Sequence, residues 1–247
     1  MKTIAVYNIK GGVGKTATAV NLSFLASLDG ANTLLWDLDP QGAASYYCRI
    51  KSKIKGGGKK LVEGKIDIEE AVKGTDYENL DLLPADFSYR NMDIFLDQAK
   101  KPLKRLNRLL DPFAEEYDYI FLDCPPSISS ASESVFAVAD ILLVPTIPTT
   151  LSLRTFQQIR KFLKQHGFQQ TKVLPFFVMV DRRKKMHRLI VQNPPSFMSS
   201  VIKSTIPYAS EVERMGLHRA PVTVFAARSR AAQCYNEMWH ELRLHLM

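Results

Sequence analysis

Lys10-Gly11-Gly12-Val13-Gly14-Lys15-Thr16 follows at once on a short apolar run, Ile4–Tyr7. It opens into a stretch in which Ala17, Val20, Phe24 and Leu28 recur at helical spacing. Strand, glycine-rich turn and helix in that order form a cradle for phosphate. Glycines reach backbone angles closed to other residues, so successive N–H groups can point into one concavity. The helix N-terminus adds partial positive charge. Lys15 is then placed to reach the β- and γ-phosphates of a nucleotide, and the Thr16 hydroxyl to ligand Mg2+. A glycine-rich turn alone is weak evidence, whereas Gly14-Lys15-Thr16 in this context is specific.

Carboxylates at the ends of two further apolar runs suit the same chemistry. Tyr119-Ile120-Phe121-Leu122-Asp123 ends in an acid before Pro125-Pro126-Ser127 turns the chain. Leu34-Leu35-Trp36-Asp37-Leu38-Asp39-Pro40-Gln41 carries two more. In a parallel sheet the carboxyl ends of all strands meet along one edge, so these aspartates would stand beside the phosphate loop. One such aspartate alone is more often a turn or helix cap, and that alternative stays open for Asp37.

The elements that must position these groups can be traced along the chain. Thr33–Trp36, Leu80–Leu83, Ile120–Leu122, Ile141–Val144 and Val173–Val180 are apolar runs bounded by Asp, Pro or Gly. Helical patterns lie near residues 66–73, 88–110, 131–138, 151–166 and 228–245. Strands that are continuously apolar imply a sheet covered on both faces. Their alternation with helices predicts an α/β fold: a doubly wound, mostly parallel sheet flanked by helices. No repeat or linker divides the chain, so residues 1–247 are expected to form one domain. Lys51–Lys60, KSKIKGGGKK, departs in composition and is expected to be a mobile surface loop that buries little, with a phosphate-backbone contact as the alternative.

Composition limits the classes. The chain has 247 residues, 46% of them hydrophobic and 23% charged, which excludes a disordered, collagen-like or coiled-coil protein. The formal charge of +8 points to polyanionic partners, nucleic acid first. No run reaches the ~18 apolar residues of a spanning helix, and the N-terminus leads into a strand rather than a signal peptide. Cys48, Cys124 and Cys234 form neither a disulfide framework nor a zinc pattern, so a cytoplasmic location is expected.

Taken together, KGGVGKT, WDLDPQG and FLDCPPS resemble the deviant-Walker-A ATPases of the ParA/MinD type, and within them the ParA/Soj partition proteins. Asp86 in LLPAD, Ala139–Pro145, Ile206-Pro207, Pro221-Val222 and Ser229–Ala232 fall in the family's order, so the resemblance covers nearly the whole chain. It implies a P-loop NTPase fold and slow, partner-stimulated hydrolysis of ATP with Mg2+. Lys10 would be the signature lysine that crosses an ATP-bridged homodimer. Gly11, Gly12, Val13, Gly14, Lys15, Thr16 and Ala17 would bind the phosphates. Asp39 would orient the attacking water, Asp123 would serve Mg2+ with Thr16, and Asp37 would stand near the metal shell. Met179, Asp181 and Pro207 would lie at the adenine.

The resemblance also implies a DNA-bound dimer stimulated by a ParB-like or cargo-adaptor protein. Arg182, Arg183, Lys184, Lys185 and Arg188, with Arg214 and Arg219, are the candidate phosphate contacts. Tyr208 and Glu211 stand where relatives often carry arginines, so the DNA face must rest on other cations. A membrane, as in MinD, is the alternative surface. The C-terminal stripe Ala231, Tyr235, Met238, Trp239, Leu242 and Leu246 reads as core-facing instead, with Glu237 and Glu241 beside Arg243 on its polar side. Cys124 has no companion that would make an iron–sulfur ligand pair.

Overall fold

A computed structural model describes residues 1–98 and 102–246. Seven strands form one sheet: β1 (Lys2–Val6), β2 (Thr33–Asp37), β3 (Lys73–Gly74), β4 (Leu80–Leu83), β5 (Tyr119–Asp123), β6 (Ile141–Thr146) and β7 (Lys172–Phe177), in the order β3-β4-β2-β5-β1-β6-β7. Every pairing is parallel except β3 with β4. This is the doubly wound α/β sheet that continuously apolar strands require.

Alternate side chains of each strand feed two cores. Ala5, Tyr7, Leu34, Trp36, Ile120 and Leu122 face one side. Helices α4 (Met92–Asp97), α5 (Pro102–Leu110), α6 (Ser130–Val138) and α7 (Thr150–Gln165) cover it. Ile4, Val6, Leu35, Phe121 and Leu143 face the other, beneath α1 (Lys15–Leu28) and α12 (Arg230–Leu246). The C-terminal stripe packs as its spacing predicts: Tyr235, Met238, Trp239 and Leu242 are buried, and Trp239 Nε1 donates to Asp29 Oδ2 at 2.8 Å. Arg243 pairs with that same carboxylate, while Glu241 accepts the amides of Lys203 and Ser204.

The structure corrects several expectations. Residues 66–73 hold a 3₁₀ turn, Glu69–Ala71, and the start of β3 rather than a helix. The pattern over 88–110 is a 3₁₀ turn, Phe87–Asn91, then α4 and α5, with 99–101 outside the described residues. β7 ends at Phe177: the Val178 amide still donates to Thr146 O of β6, while Val180 leaves the sheet to pair with the chain at Ile206 and Tyr208. Lys51–Lys60 buries more than its composition suggests. Its end enters α3 (Gly57–Val62), Ile54 is 3% exposed, and the Ile54 amide donates to Asp86 Oδ2 at 2.9 Å. One isoleucine with a buried hydrogen-bond acceptor is enough to anchor a segment otherwise made of lysine, glycine and one serine.

Between β7 and α12 the chain runs through short helices. These are α8 (Lys185–Gln192), α9 (Ser210–Glu213), α10 (Met215–His218) and α11 (Val222–Phe225). A short α2 (Ala43–Tyr47) follows β2.

Candidate functional site

Register places the predicted acids. Asp37 stands opposite Asp123 across the β2–β5 pair, and Asp123 opposite Val6 across β5–β1. The loop that leaves β1 therefore starts beside both carboxylates. Gly12 and Gly14 adopt left-handed angles, φ 69° and 81°, and Gly14 is the N-cap of α1. A β-carbon at Gly14 would also lie 3.3 Å from Val178 Cγ2, so this position needs glycine on two counts. Val13 is buried and pins the loop. Asn8, which the sequence reading passed over, holds the entrance: its amide donates to Pro145 O at 2.8 Å and its oxygen accepts the Lys10 amide at 2.9 Å.

Lys15 is buried, and its ammonium donates to Lys10 O at 3.3 Å. Burial holds its pKa below the ordinary lysine value, opposed by the nearby acids Asp123 and Asp39. Lys10 itself is exposed, as are Gly11 and Gly12, while Thr16 is half-buried and Ala17 buried at the start of α1.

The three aspartates differ. Asp37 is fully buried and already satisfied. Its carboxylate accepts the Ser45 amide and hydroxyl, both at 2.8 Å, and the Asp39 amide at 3.3 Å. Burial nevertheless lifts its pKa to about 6, against those hydrogen bonds. Asp39 is half-buried and accepts the Gln41 amide at 2.9 Å. Asp123 is fully buried, and neither carboxylate oxygen has a hydrogen-bond partner. Burial and the Asp37 charge drive its pKa well above the usual carboxylate range, opposed by the nearby Thr16 hydroxyl and Lys15 ammonium. A buried carboxylate without partners beside a threonine hydroxyl fits a hard divalent cation. Among the described residues no cluster of three or more His, Cys, Asp or Glu could hold a metal. A cation here would complete its shell with phosphate oxygens and water, as Mg2+ commonly does.

The segments after Asp37 and Asp123 share a cavity of about 220 Å³, lined by Leu38, Pro40, Pro125 and Val135 among others. Cys124 also lines it, and burial pushes its thiol far above the ordinary value, so it is inert packing rather than a nucleophile.

Of the candidate adenine residues, the structure brings two strands of chain together. Val180 forms a parallel bridge with Pro207. Met179 sits at φ 54°, an angle unusual for a non-glycine residue. Asp181 is committed to Arg183 through contacts of 3.0 and 3.1 Å, which hold its carboxyl down at about 2. His187 was missed from the sequence, where it sits inside a run of cations. It is buried and accepts the Asp181 amide on Nδ1 at 3.1 Å.

The candidate DNA contacts do not form one free patch. Arg182, Arg183, Lys184, Lys185 and Arg188 are exposed on and before α8. Yet Arg183 pairs with Asp181, and Arg188 donates to the carbonyls of Arg182 and Arg183. Arg214 contacts His218, and Arg219 stacks on Tyr46 while donating to its carbonyl. Asp86 is structural: burial raises its pKa, but hydrogen bonds from Ile54, Ser88 and Gly58 outweigh this and hold it below the ordinary value. Among the described residues, no helix is long and apolar enough to cross a membrane.

Comparison with known proteins agrees with this geometry. The model of the AAA domain family matches residues 1–175. The chain is 29% identical over 247 residues to the sporulation initiation inhibitor protein Soj of Bacillus subtilis, covering 98% of each. It superposes with a TM-score of 0.85 on the ATP complex of an aspartate-to-alanine variant of McdA from Cyanothece, at 20% identity, covering 98% of this chain and 96% of the other. It superposes at 0.82 on cobyrinic acid a,c-diamide synthase from Mycobacterium smegmatis with bound ADP and magnesium, at 24% identity, covering 100% and 95%. ATP in the first of these structures, and ADP with magnesium in the second, are the ligands the loop and the unpartnered Asp123 call for. With the glycine-rich loop, the acids at the sheet edge and these matches in hand, the chain belongs to the AAA-domain family, as a P-loop ATPase of the ParA/MinD, deviant-Walker-A type.

Proposed function

We propose that this chain, as one domain spanning residues 1–247, is an ATPase that dimerises on ATP, binds DNA without sequence preference and positions a cargo. The observation that carries the nucleotide part is the fully buried, partnerless Asp123 carboxylate at the edge where the glycine loop enters α1. The likeness to Soj over its whole length supports the positioning role.

The residues divide the work. The amides from Gly11 to Thr16 and the α1 N-terminus bind the phosphates. Lys15 exchanges its long bond to Lys10 O for a shorter, charge-assisted one to phosphate oxygen. Thr16 and Asp123 hold Mg2+, with Asp37 behind them keeping the β2 end in place through Ser45. Bound Mg2+ supplies neutralisation of the charge that builds on the transferring phosphoryl group. Asp39, half in solvent and fixed by the Gln41 amide, orients the attacking water. Lys10, exposed at the loop tip, reaches the partner's phosphates in the dimer, as an arginine finger would. Met179, Asp181 and Pro207 line the base. Hydrolysis dissolves the dimer, and a ParB-like or cargo-adaptor protein sets its timing at the nucleoid.

The test is phosphate release and DNA retention measured together. Lys15→Ala should abolish nucleotide binding. Asp39→Ala should bind ATP, stay dimeric and hydrolyse at least ~100-fold more slowly. Normal turnover by that variant overturns the role given to Asp39.

A further inference from the structure

Six lysines from two separate stretches converge on one concavity beside the β3 edge of the sheet. Lys51, Lys53, Lys55 and Lys60 come from the anomalous segment, Lys65 from the turn after α3 and Lys73 from the start of β3. The groove measures about 780 Å³. Among the described residues its acids are Asp67 and Glu70, so the lining carries a clear cationic surplus. Lys65 pairs with Glu63 at 2.8 Å and Lys73 donates to Glu70 O, but among the described residues Lys51, Lys53, Lys55 and Lys60 form no ion pair, and all four are exposed.

The groove is built rather than accidental. Ile54 is buried between Lys53 and Lys55, and its amide is bound by Asp86, so the flanking lysines are held at the rim. Gly58 lies so close to Tyr89 that a β-carbon would sit 2.5 Å from its ring. Ser52, between Lys51 and Lys53, is packed on Gly42: a β-carbon at Gly42 would stand 2.2 Å from Ser52 Oγ.

We propose that this groove grips the phosphate backbone of duplex DNA. The proposal rests on the DNA-binding reading above and says where that contact is made. Three features choose this occupant. Lysine is a point charge suited to phosphate, with none of the forked geometry that reads bases. Among the described residues no aromatic side chain lines the groove, so they offer no platform for stacking single-stranded bases. Ile50, Ile54 and Ile66 are all at least half-buried, so the rim offers no apolar side chain to insert in a lipid surface. Of the arginines put forward from the sequence, Arg183, Arg188 and Arg214 are by contrast engaged within the chain.

The experiment is a salt series of duplex DNA binding by the full chain with ATP. It compares the unaltered protein with a variant carrying Lys51→Gln, Lys53→Gln, Lys55→Gln and Lys60→Gln. Each lost phosphate contact should lower the slope of log affinity against log salt by about 0.9, so the variant's slope should fall by about 2 to 4 and its affinity at least ~10-fold. Its DNA-free ATP turnover should match the unaltered protein. Should the fourfold variant misfold, Lys51→Gln and Lys55→Gln singly should each lower the slope by up to about 0.9. An unchanged slope, with DNA still bound by the unaltered protein, overturns the groove alone. If the unaltered protein ignores DNA at low salt, the DNA-binding reading falls and takes the groove with it. Retention on phosphatidylserine vesicles in place of DNA would overturn both in favour of a lipid surface.

Discussion

Asp123 shows how one side chain can be costly in isolation and useful in a complex. Its buried carboxylate oxygens have no hydrogen-bond partner among the described residues, and Asp37 adds a second buried acid across the strand pair. Such a group destabilises the chain until a cation arrives. Asp123→Asn should therefore raise the melting temperature of the nucleotide-free protein in a chelator by a few degrees, and should abolish the further rise that Mg2+ and ATP give the unaltered protein. Calorimetry with and without MgATP checks both halves. His187 titrates in the opposite sense. Burial holds its pKa below the ordinary imidazole value, with Lys184 adding to the effect and Asp181 opposing it. The unfolded chain then binds the proton first as pH falls. The stability His187 contributes is complete above about pH 6.5 and is lost as pH drops through its lower folded pKa. Urea unfolding at about pH 7.5 and about pH 5.5 should show a smaller loss in His187→Asn, which keeps an acceptor for the Asp181 amide but no titrating ring.

Elements carry the next level of control. The segment from Gly42 to Val62 links the end of β2 to the lysine groove through α2 and α3, and its packing leaves little space. Tyr89 closes it from beneath, buried and hydrogen-bonded to Trp36 Nε1 at 3.3 Å. Gly58→Ala must push that ring, a typical overpacking cost of about 1–3 kcal/mol. The melting temperature should fall by roughly 2–10 °C while ATP affinity changes less than about twofold, because the phosphate loop is carried on β1 and α1. Equal loss of both, measured by thermal unfolding and nucleotide titration, would show that α3 and the loop form one unit.

At the scale of the whole molecule, the proposed switch requires two copies. Lys10 finds no acid of its own chain among the described residues and stands exposed at the loop tip, the placement a trans-acting cation needs. Light scattering should give a dimer with ATP for Asp39→Ala and a monomer for the Lys10→Ala, Asp39→Ala double variant, with nucleotide still bound. A dimer unaffected by Lys10→Ala would remove this lysine from the interface. The +8 charge acts at the same scale: it draws the chain to polyanions, and salt must weaken that attraction whichever lysines make the contact.

The order of strand, glycine loop and helix, and the acids at the ends of β2 and β5, were legible in the residues because they follow from local rules. Glycine alone reaches the loop's angles, and continuous apolar runs demand a sheet covered on both sides. The C-terminal stripe was legible for the same reason, since helical spacing decides which face is buried. Tertiary structure alone decided which acids are free. Asp37 and Asp123 look alike in sequence, yet Ser45 satisfies the first, while the second has no hydrogen-bond partner among the described residues. It also decided that the arginines near α8 are partly engaged while lysines more than twenty residues apart line one groove. Charge runs do not state their partners, and a partner distant in sequence is found only when the chain has closed on itself. The helix expected over 66–73 and the unbroken one over 88–110 failed because periodicity records which side chains are apolar and not where the backbone must turn to pack them.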